Sequence, residues 1–185
     1  MLHVEATALP EVRIVQPKKF GDHRGFFSET YNRKALAEAG ITLDFVQDNH
    51  SLSAAVGTLR GLHFQAPPMA QDKLIRVPRG RILDVAVDIR VGSPDFGRFV
   101  AVELSAENWR QLLVPVGFAH GFVTLEPDTE VMYKVTAPYS PEHDRGLAFD
   151  DPALGIDWGL SVEKLVLSDK DRNHPRLADL PRYFS

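Results

Sequence analysis

The sequence predicts an all-β fold, a sandwich or barrel of short strands, and three observations carry that expectation. Apolar and polar residues alternate with period two through many short runs, and only one segment reads firmly as helix. The 13 glycines and 13 prolines are spread along the chain as turn punctuation and do not gather in a linker.

Taken in order, a first strand is expected at Val12–Val15. The cluster Asp22-His-Arg-Gly-Phe-Phe-Ser-Glu29 packs basic and aromatic groups between two acids. It reads either as a turn with a surface ion pair or as a phosphate fork at Arg24 beside an aromatic surface at Phe26 or Phe27. Asn32 to Gly40 combines an N-cap candidate, good helix formers and a terminal glycine, which predicts the helix. Strands follow at Phe45–Ser51, Thr58–Gln65, Lys73–Val77, Arg81–Arg90, Phe99–Leu104, Gln111–Val114 and Thr129–Thr136. The clearest is Arg81–Arg90, with Leu83, Val85, Val87 and Ile89 on one face and Asp84 and Asp88 on the other. Beyond Ala137 the pattern weakens through Pro138, Pro141, Pro152 and Pro175, so irregular loops and short elements are expected to pack on the sheet.

Composition narrows the function classes. At 185 residues the chain is expected to form one domain, and 44% hydrophobic with 25% charged residues argues against disorder. A net charge of −4 lacks the basic excess of a general nucleic-acid binder, and the absence of cysteine excludes disulfides, thiolate metal sites and thiol nucleophiles. The first ten residues lack a basic start and an apolar run, and the greasiest stretch, Leu112–Ala119, is too short to cross a bilayer as a helix. A cytoplasmic location with no membrane partner is the expectation.

Candidate polar groups fall on the faces of these strands. Alternation puts His63 with Leu59, Gly61 and Gln65 and turns Arg60 away, unless a bulge at Gly61 swings Arg60 back. His120 lies in a glycine-flanked run, Tyr133 shares its face with Val131 and Val135, and Lys73 shares its face with Ile75 and Val77. Each has a plain alternative: a hydrogen-bonded core histidine, a tyrosine bonding outward, a lysine whose end reaches solvent. Gln47, Asn49 and Ser51 form a polar ladder that lines a cavity or meets water. No His-x-His pair exists, and His50 alternates away from that ladder, so no metal ligand set is expected.

Together these segments resemble the dTDP-4-dehydrorhamnose 3,5-epimerase family over nearly the whole chain. The motifs that carry the resemblance are the Asp22–Glu29 cluster, Gln47-Asp-Asn-His-Ser51, Gly57-Thr-Leu-Arg-Gly-Leu-His-Phe-Gln65, Asp84-Val-Ala-Val-Asp-Ile-Arg90, Pro115-Val-Gly-Phe-Ala-His-Gly-Phe122 and Ser168-Asp-Lys-Asp171. One departure is Phe64, where relatives often carry tyrosine. The resemblance implies a cupin-like jelly roll, a double-stranded β-helix with a few short peripheral helices. Its core spans about residues 45–137 of a single 1–185 domain, commonly assembled as a homodimer without metal or other cofactor.

By the same resemblance, His63 is the general base, Asp171 its orienting carboxylate, Tyr133 the general acid, and Lys73 the cation for a developing enolate, with Arg60 and His120 as further donors. Arg24 and Lys170 would contact the diphosphate of a dTDP-4-keto-6-deoxy sugar. Glu29, Gln47 and Asn49 would bind nucleotide or sugar, Asp144 the substrate, and Tyr139 would stack on thymine, while Phe27 is a substrate-binding candidate through the aromatic surface read above. The competing readings are a single-carbon epimerase or ketoisomerase of another dTDP-deoxysugar pathway, and a cupin sugar-binding module without turnover.

Overall fold

The computed structural model describes residues 2–185. Strands β1 (His3–Ala6), β2 (Arg13–Gln16), β3 (Phe20–Asp22) and β4 (Gly25–Phe27) precede helix α1 (Arg33–Glu38). Then come β5 (Gln47–Ser53), β6 (Leu59–Gln65), β7 (Lys73–Arg79), β8 (Arg81–Asp88), β9 (Phe99–Ser105), β10 (Gln111–Val114), β11 (Phe118–Thr124) and β12 (Thr129–Val135). A short β13 (Asp144–Gly146) and helix α2 (Asp169–Arg172) lie in the C-terminal part.

Two antiparallel sheets face each other, with strand orders β1-β2-β10-β7-β12-β5 and β13-β6-β11-β8-β9, and β3 pairs with β4 as a separate ribbon. This is a sandwich, as the alternating runs predict, and the cupin-like jelly roll that the resemblance implies. The inward residues of both sheets, among them Ile75, Ile82, Leu104, Leu112, Phe122 and Val131, form the central core. Each fully buried aliphatic side chain there stabilises the fold by about 1.5–3 kcal/mol.

A second apolar layer covers the outer face of the five-stranded sheet. Leu147, Phe149, Leu154, Trp158 and Leu165 from the irregular C-terminal part pack there on Phe64, Val85, Val87 and Val123. That layer explains why Asp84 and Asp88 are fully buried although they oppose an apolar face: both faces of β8 are covered. Helix α1 covers the other sheet, with Leu36 against Val15, Leu74 and Leu113. Its start is set by Asn32, whose side chain accepts from the Ala35 N–H at 3.1 Å.

The bulge anticipated at Gly61 is present. His63 pairs with His120 while Arg60 pairs with Phe122, so β6 carries one residue more than β11 between these pairs. Gly61 has φ +133°, and a Cβ there would lie 2.5 Å from Gly121 Cα, so only glycine permits this approach.

Candidate active site

The site lies where the sandwich opens between its two sheets. One cavity of about 280 Å³ is lined by Ser51, Arg60, His63, Lys73, His120, Phe122, Tyr133, Ser168, Lys170 and Asp171. A neighbouring lobe of about 130 Å³ is lined by Gln47, Asn49, Gln65, Gln71, Tyr139 and Asp144, and shares His63, Lys73 and Tyr133 with the first. His63 and Tyr133 come from opposite sheets, on β6 and β12. The bulge places Arg60 on the wall with His63, where its guanidinium donates to Ser53 Oγ at 3.2 Å and to the Leu52 carbonyl at 3.3 Å.

Asp171 joins the site through helix α2. Ser168 caps that helix, accepting from the Asp171 N–H at 3.2 Å and donating to Asp171 Oδ2 at 2.7 Å. Asp171 Oδ1 then meets His63 Nε2 at 2.5 Å. Burial opposes the Asp171 charge, but the facing groups of His174, His63 and Ser168 outweigh it and hold the carboxyl well below the ordinary range. With Nε2–H directed at the carboxylate, the basic nitrogen of His63 is Nδ1. Burial lowers the His63 pKa and the Asp171 charge resists that, while Lys73 and Lys170 push it further down.

Lys73 does not reach solvent. It is buried, its Nζ donates to the His63 carbonyl at 3.3 Å, and burial pushes its pKa down to about 8 against the pull of Asp144 and Asp84. Tyr133 is partly buried against the central core, and its phenol is pushed up by burial, with Arg60 working the other way. A phenol in that state keeps its proton at neutral pH, while a nearby imidazole of lowered pKa is free to accept one.

His120 Nε2–H donates to Asp84 Oδ1 at 2.6 Å inside the sandwich. In the outer lobe, Gln47 Nε2 donates to Asn49 Oδ1 at 2.8 Å and Gln47 Oε1 accepts from the Tyr139 N–H at 3.0 Å. Tyr139 Oη donates to Asp144 Oδ2 at 3.1 Å, and Lys170 pairs with the same carboxylate. These contacts bring His63, Tyr133, Asp171, Lys73, Gln47, Asn49, Arg60, His120, Tyr139, Asp144 and Lys170 to one opening.

Arg24, Phe27 and Glu29 are not among the residues lining either lobe. Arg24 is 79% exposed and paired with Asp22 at 2.6 Å, the ion pair that the sequence allowed as its plain alternative. Phe27 is exposed at the end of the β3–β4 ribbon, and Glu29 accepts from Asn32. The ribbon is anchored away from the lobes by Phe26, whose ring meets Trp109 edge-on at 5.0 Å, and by Trp109 Nε1 donating to Ser28 Oγ at 3.0 Å.

Sequence reasoning missed Asp84 and His174 as site residues, while Ser51 lines the cavity as its polar ladder allowed. Asp84 had a signal, because an acid within a strand covered on both faces needs a partner. His174 had none: it joins His63 and Asp171 only through the chain's return after β13, and their ligand atoms all lie within 4.8 Å of one another. That trio has the residue types to hold a cation. The 2.5 Å between His63 Nε2 and Asp171 Oδ1 is nevertheless a direct hydrogen bond, shorter than the roughly 3.3 Å between two ligands on one tetrahedral zinc.

The family description dTDP-4-dehydrorhamnose 3,5-epimerase matches residues 6–179. A curated protein of that name from Sinorhizobium fredii is 54% identical over 183 residues, covering 99% of this chain and 93% of its own length. The crystal structure of the epimerase from Bacillus anthracis with TDP and PPi bound superposes with a TM-score of 0.92 at 52% identity, covering 95% of this chain and 99% of that one. The enzyme from Legionella pneumophila in complex with dTDP-4-keto-L-rhamnose gives a TM-score of 0.93 at 46% identity, with both chains covered completely. With its jelly roll, its opposed histidine and tyrosine and these relatives, the chain belongs to the dTDP-4-dehydrorhamnose 3,5-epimerase family.

Proposed function

We propose that this isomerase converts dTDP-4-dehydro-6-deoxy-D-glucose to dTDP-4-dehydro-L-rhamnose by inverting C3 and C5, with His63 as base and Tyr133 as acid. The observation that carries the assignment is their placement on facing sheets, lining the same two lobes. Inversion beside a ketone needs a proton taken from one face and another delivered to the opposite face. His63 Nδ1 takes the proton, the C–H electron pair moves into the enolate, and negative charge gathers on the C4 oxygen. Lys73 supplies the cation that holds this charge, with Arg60 and His120 as further donors. Tyr133 then gives its proton to the other face and the ketone reforms. Protons move without net oxidation, so the reading requires neither metal nor redox cofactor.

Lys170, Asp144, Gln47, Asn49 and Tyr139 surround the outer lobe and are assigned to the diphosphate and nucleotide, as the ligands held by the Bacillus and Legionella relatives suggest. The exposed ribbon with Arg24, Phe27 and Glu29 is assigned to the site of a second copy. A homodimer accounts both for its distance from these lobes and for the exposure of Phe20 and Phe27. No helix among the described residues is long and apolar enough to cross a membrane, and we assign the enzyme to the cytoplasm.

Incubation with the 4-keto-6-deoxyglucose nucleotide in deuterated water tests the reading. Deuterium at both C3 and C5 with formation of the L-sugar is expected. Exchange at one carbon identifies a single-carbon epimerase, and binding without exchange identifies a sugar-binding module.

A further inference from the structure

Behind the His63–Asp171 pair lies a second histidine that no motif pointed to. His174 follows α2, and its loop is tied down by the Ala148 N–H donating to the Pro175 carbonyl at 2.8 Å. Its side chain is 9% exposed. The ring lies on Gly146, which stands opposite His63 in the β13–β6 register, and a Cβ at Gly146 would fall 2.2–2.3 Å from three of its atoms. It meets the His63 ring edge to face, with centroids 5.4 Å apart. His174 Nε2 is buried without a partner at ordinary hydrogen-bond geometry, and the polar atom before it is Asp171 Oδ1 at 3.5 Å, the oxygen that His63 also holds. Burying an unpaired N–H is costly, so a site that builds a glycine cradle for this ring calls for an explanation.

We infer that His174 is a positioning residue for the epimerisation, sharing Asp171 Oδ1 with His63 so that the carboxylate is fixed in place and part of its charge is withheld from the base. The inference rests on the assignment of His63 as that base. Epimerising two carbons requires His63 to lose its proton between abstractions. A carboxylate committed wholly to His63 would stabilise the imidazolium and hold that proton, whereas a second donor on the same oxygen weakens the grip. The other charged or titratable groups facing His63 are Lys73 from β7, Lys170 from α2, Tyr133 from β12, His120 from β11 and Arg60 from its own strand. His174 itself faces Asp171 and His63.

The sign follows: removing the His174 N–H returns charge to Oδ1, favours protonated His63, and raises the pH at which His63 titrates. His174→Phe keeps a ring on Gly146 and removes the donor. In the full-length enzyme, the His63 midpoint followed by NMR is expected to rise by several tenths to about one pH unit. The acid limb of kcat/KM should move with it while KM at neutral pH stays unchanged, and His174→Gln, which keeps an N–H, should restore both. Gly146 lacks a left-handed φ, so Gly146→Ala is compatible with the backbone and displaces the ring; it should act like His174→Phe and decides the matter if that variant fails to fold. An unmoved His63 midpoint in the folded variants overturns the inference. A moved midpoint with an unmoved acid limb overturns His63 as base and leaves the hold of His174 on Asp171 standing.

Discussion

Two histidine–carboxylate pairs stand side by side in this enzyme, since His63 and His120 are partners across β6 and β11. Their nitrogen–oxygen distances are nearly equal, 2.5 Å for His63–Asp171 and 2.6 Å for His120–Asp84. They differ in access: the His63 side chain is 31% exposed toward the opening, while that of His120 is 7% exposed and Asp84 is sealed completely. They differ also in origin. Asp84 comes from the adjacent strand β8, whereas Asp171 is brought in by a capped turn of helix after the sandwich has closed. The pair alone therefore does not make a base. A carboxylate inside the sheet seals its histidine into the wall, whereas the carboxylate brought in by α2 leaves its histidine exposed at the cavity, as the proposed base requires.

Substitutions can break this contrast at each pair. His63→Ala should abolish both solvent exchange and product formation, a loss on the order of 10²–10⁴-fold in turnover, with a smaller loss of thermal stability than at His120, because Ser168 still donates to the buried Asp171; stopped-assay product analysis and a melting curve check it. His120→Ala should do the reverse in kind. It strands the buried Asp84 charge, and breaking such a pair costs about 3–5 kcal/mol, so a fall in Tm on the order of 10 °C is expected by calorimetry. Measurable exchange should persist in whatever remains folded. If His120→Ala leaves stability intact, the two pairs are not distinguished by burial.

Smaller effects sharpen the picture around His63. Its lowered pKa keeps it neutral and basic at pH 7, while Lys73, with its pKa near 8, loses its charge as pH rises. The profile of kcat/KM should therefore rise through an acid limb set by His63, displaced to the acid side of an ordinary histidine, and fall through an alkaline limb near 8. Lys73→Arg should move only the alkaline limb, upward. Arg24→Ala should raise KM and leave kcat nearly unchanged, because a diphosphate contact remote from C3 and C5 is equal in ground and transition states; steady-state kinetics at saturating substrate decide it.

Much of this was legible in the sequence where periodicity and chemistry coincide. Gln111–Val114 is a strand with the expected bounds, Asn32 caps the expected helix, and Tyr133 and Lys73 face inward with Val131 and Ile75 as alternation requires. Strand β11 carries no legible alternation, because all seven of its residues are buried and the period that reveals a half-buried strand is erased. Strands β1, β3 and β4 are only three or four residues long and largely exposed, too short to show a period. Within the site, Arg60 depended on a bulge that Gly61 only suggested, and the third member of the His63–Asp171–His174 group depended on a chain return that no local pattern encodes.

The opposed acid and base are tested most directly by Tyr133→Phe in deuterated water, following deuterium incorporation and L-sugar formation in the same sample. The substitution keeps the ring and its packing and removes the proton donor, so abstraction by His63 continues while delivery to the other face fails. Solvent deuterium should enter with retained configuration at a rate well above that of inversion. Inversion of C5 at the wild-type rate would contradict the two-face mechanism. So would exchange lost as completely as in His63→Ala while the dTDP-sugar still binds, and Tyr133 would then be a binding or packing residue.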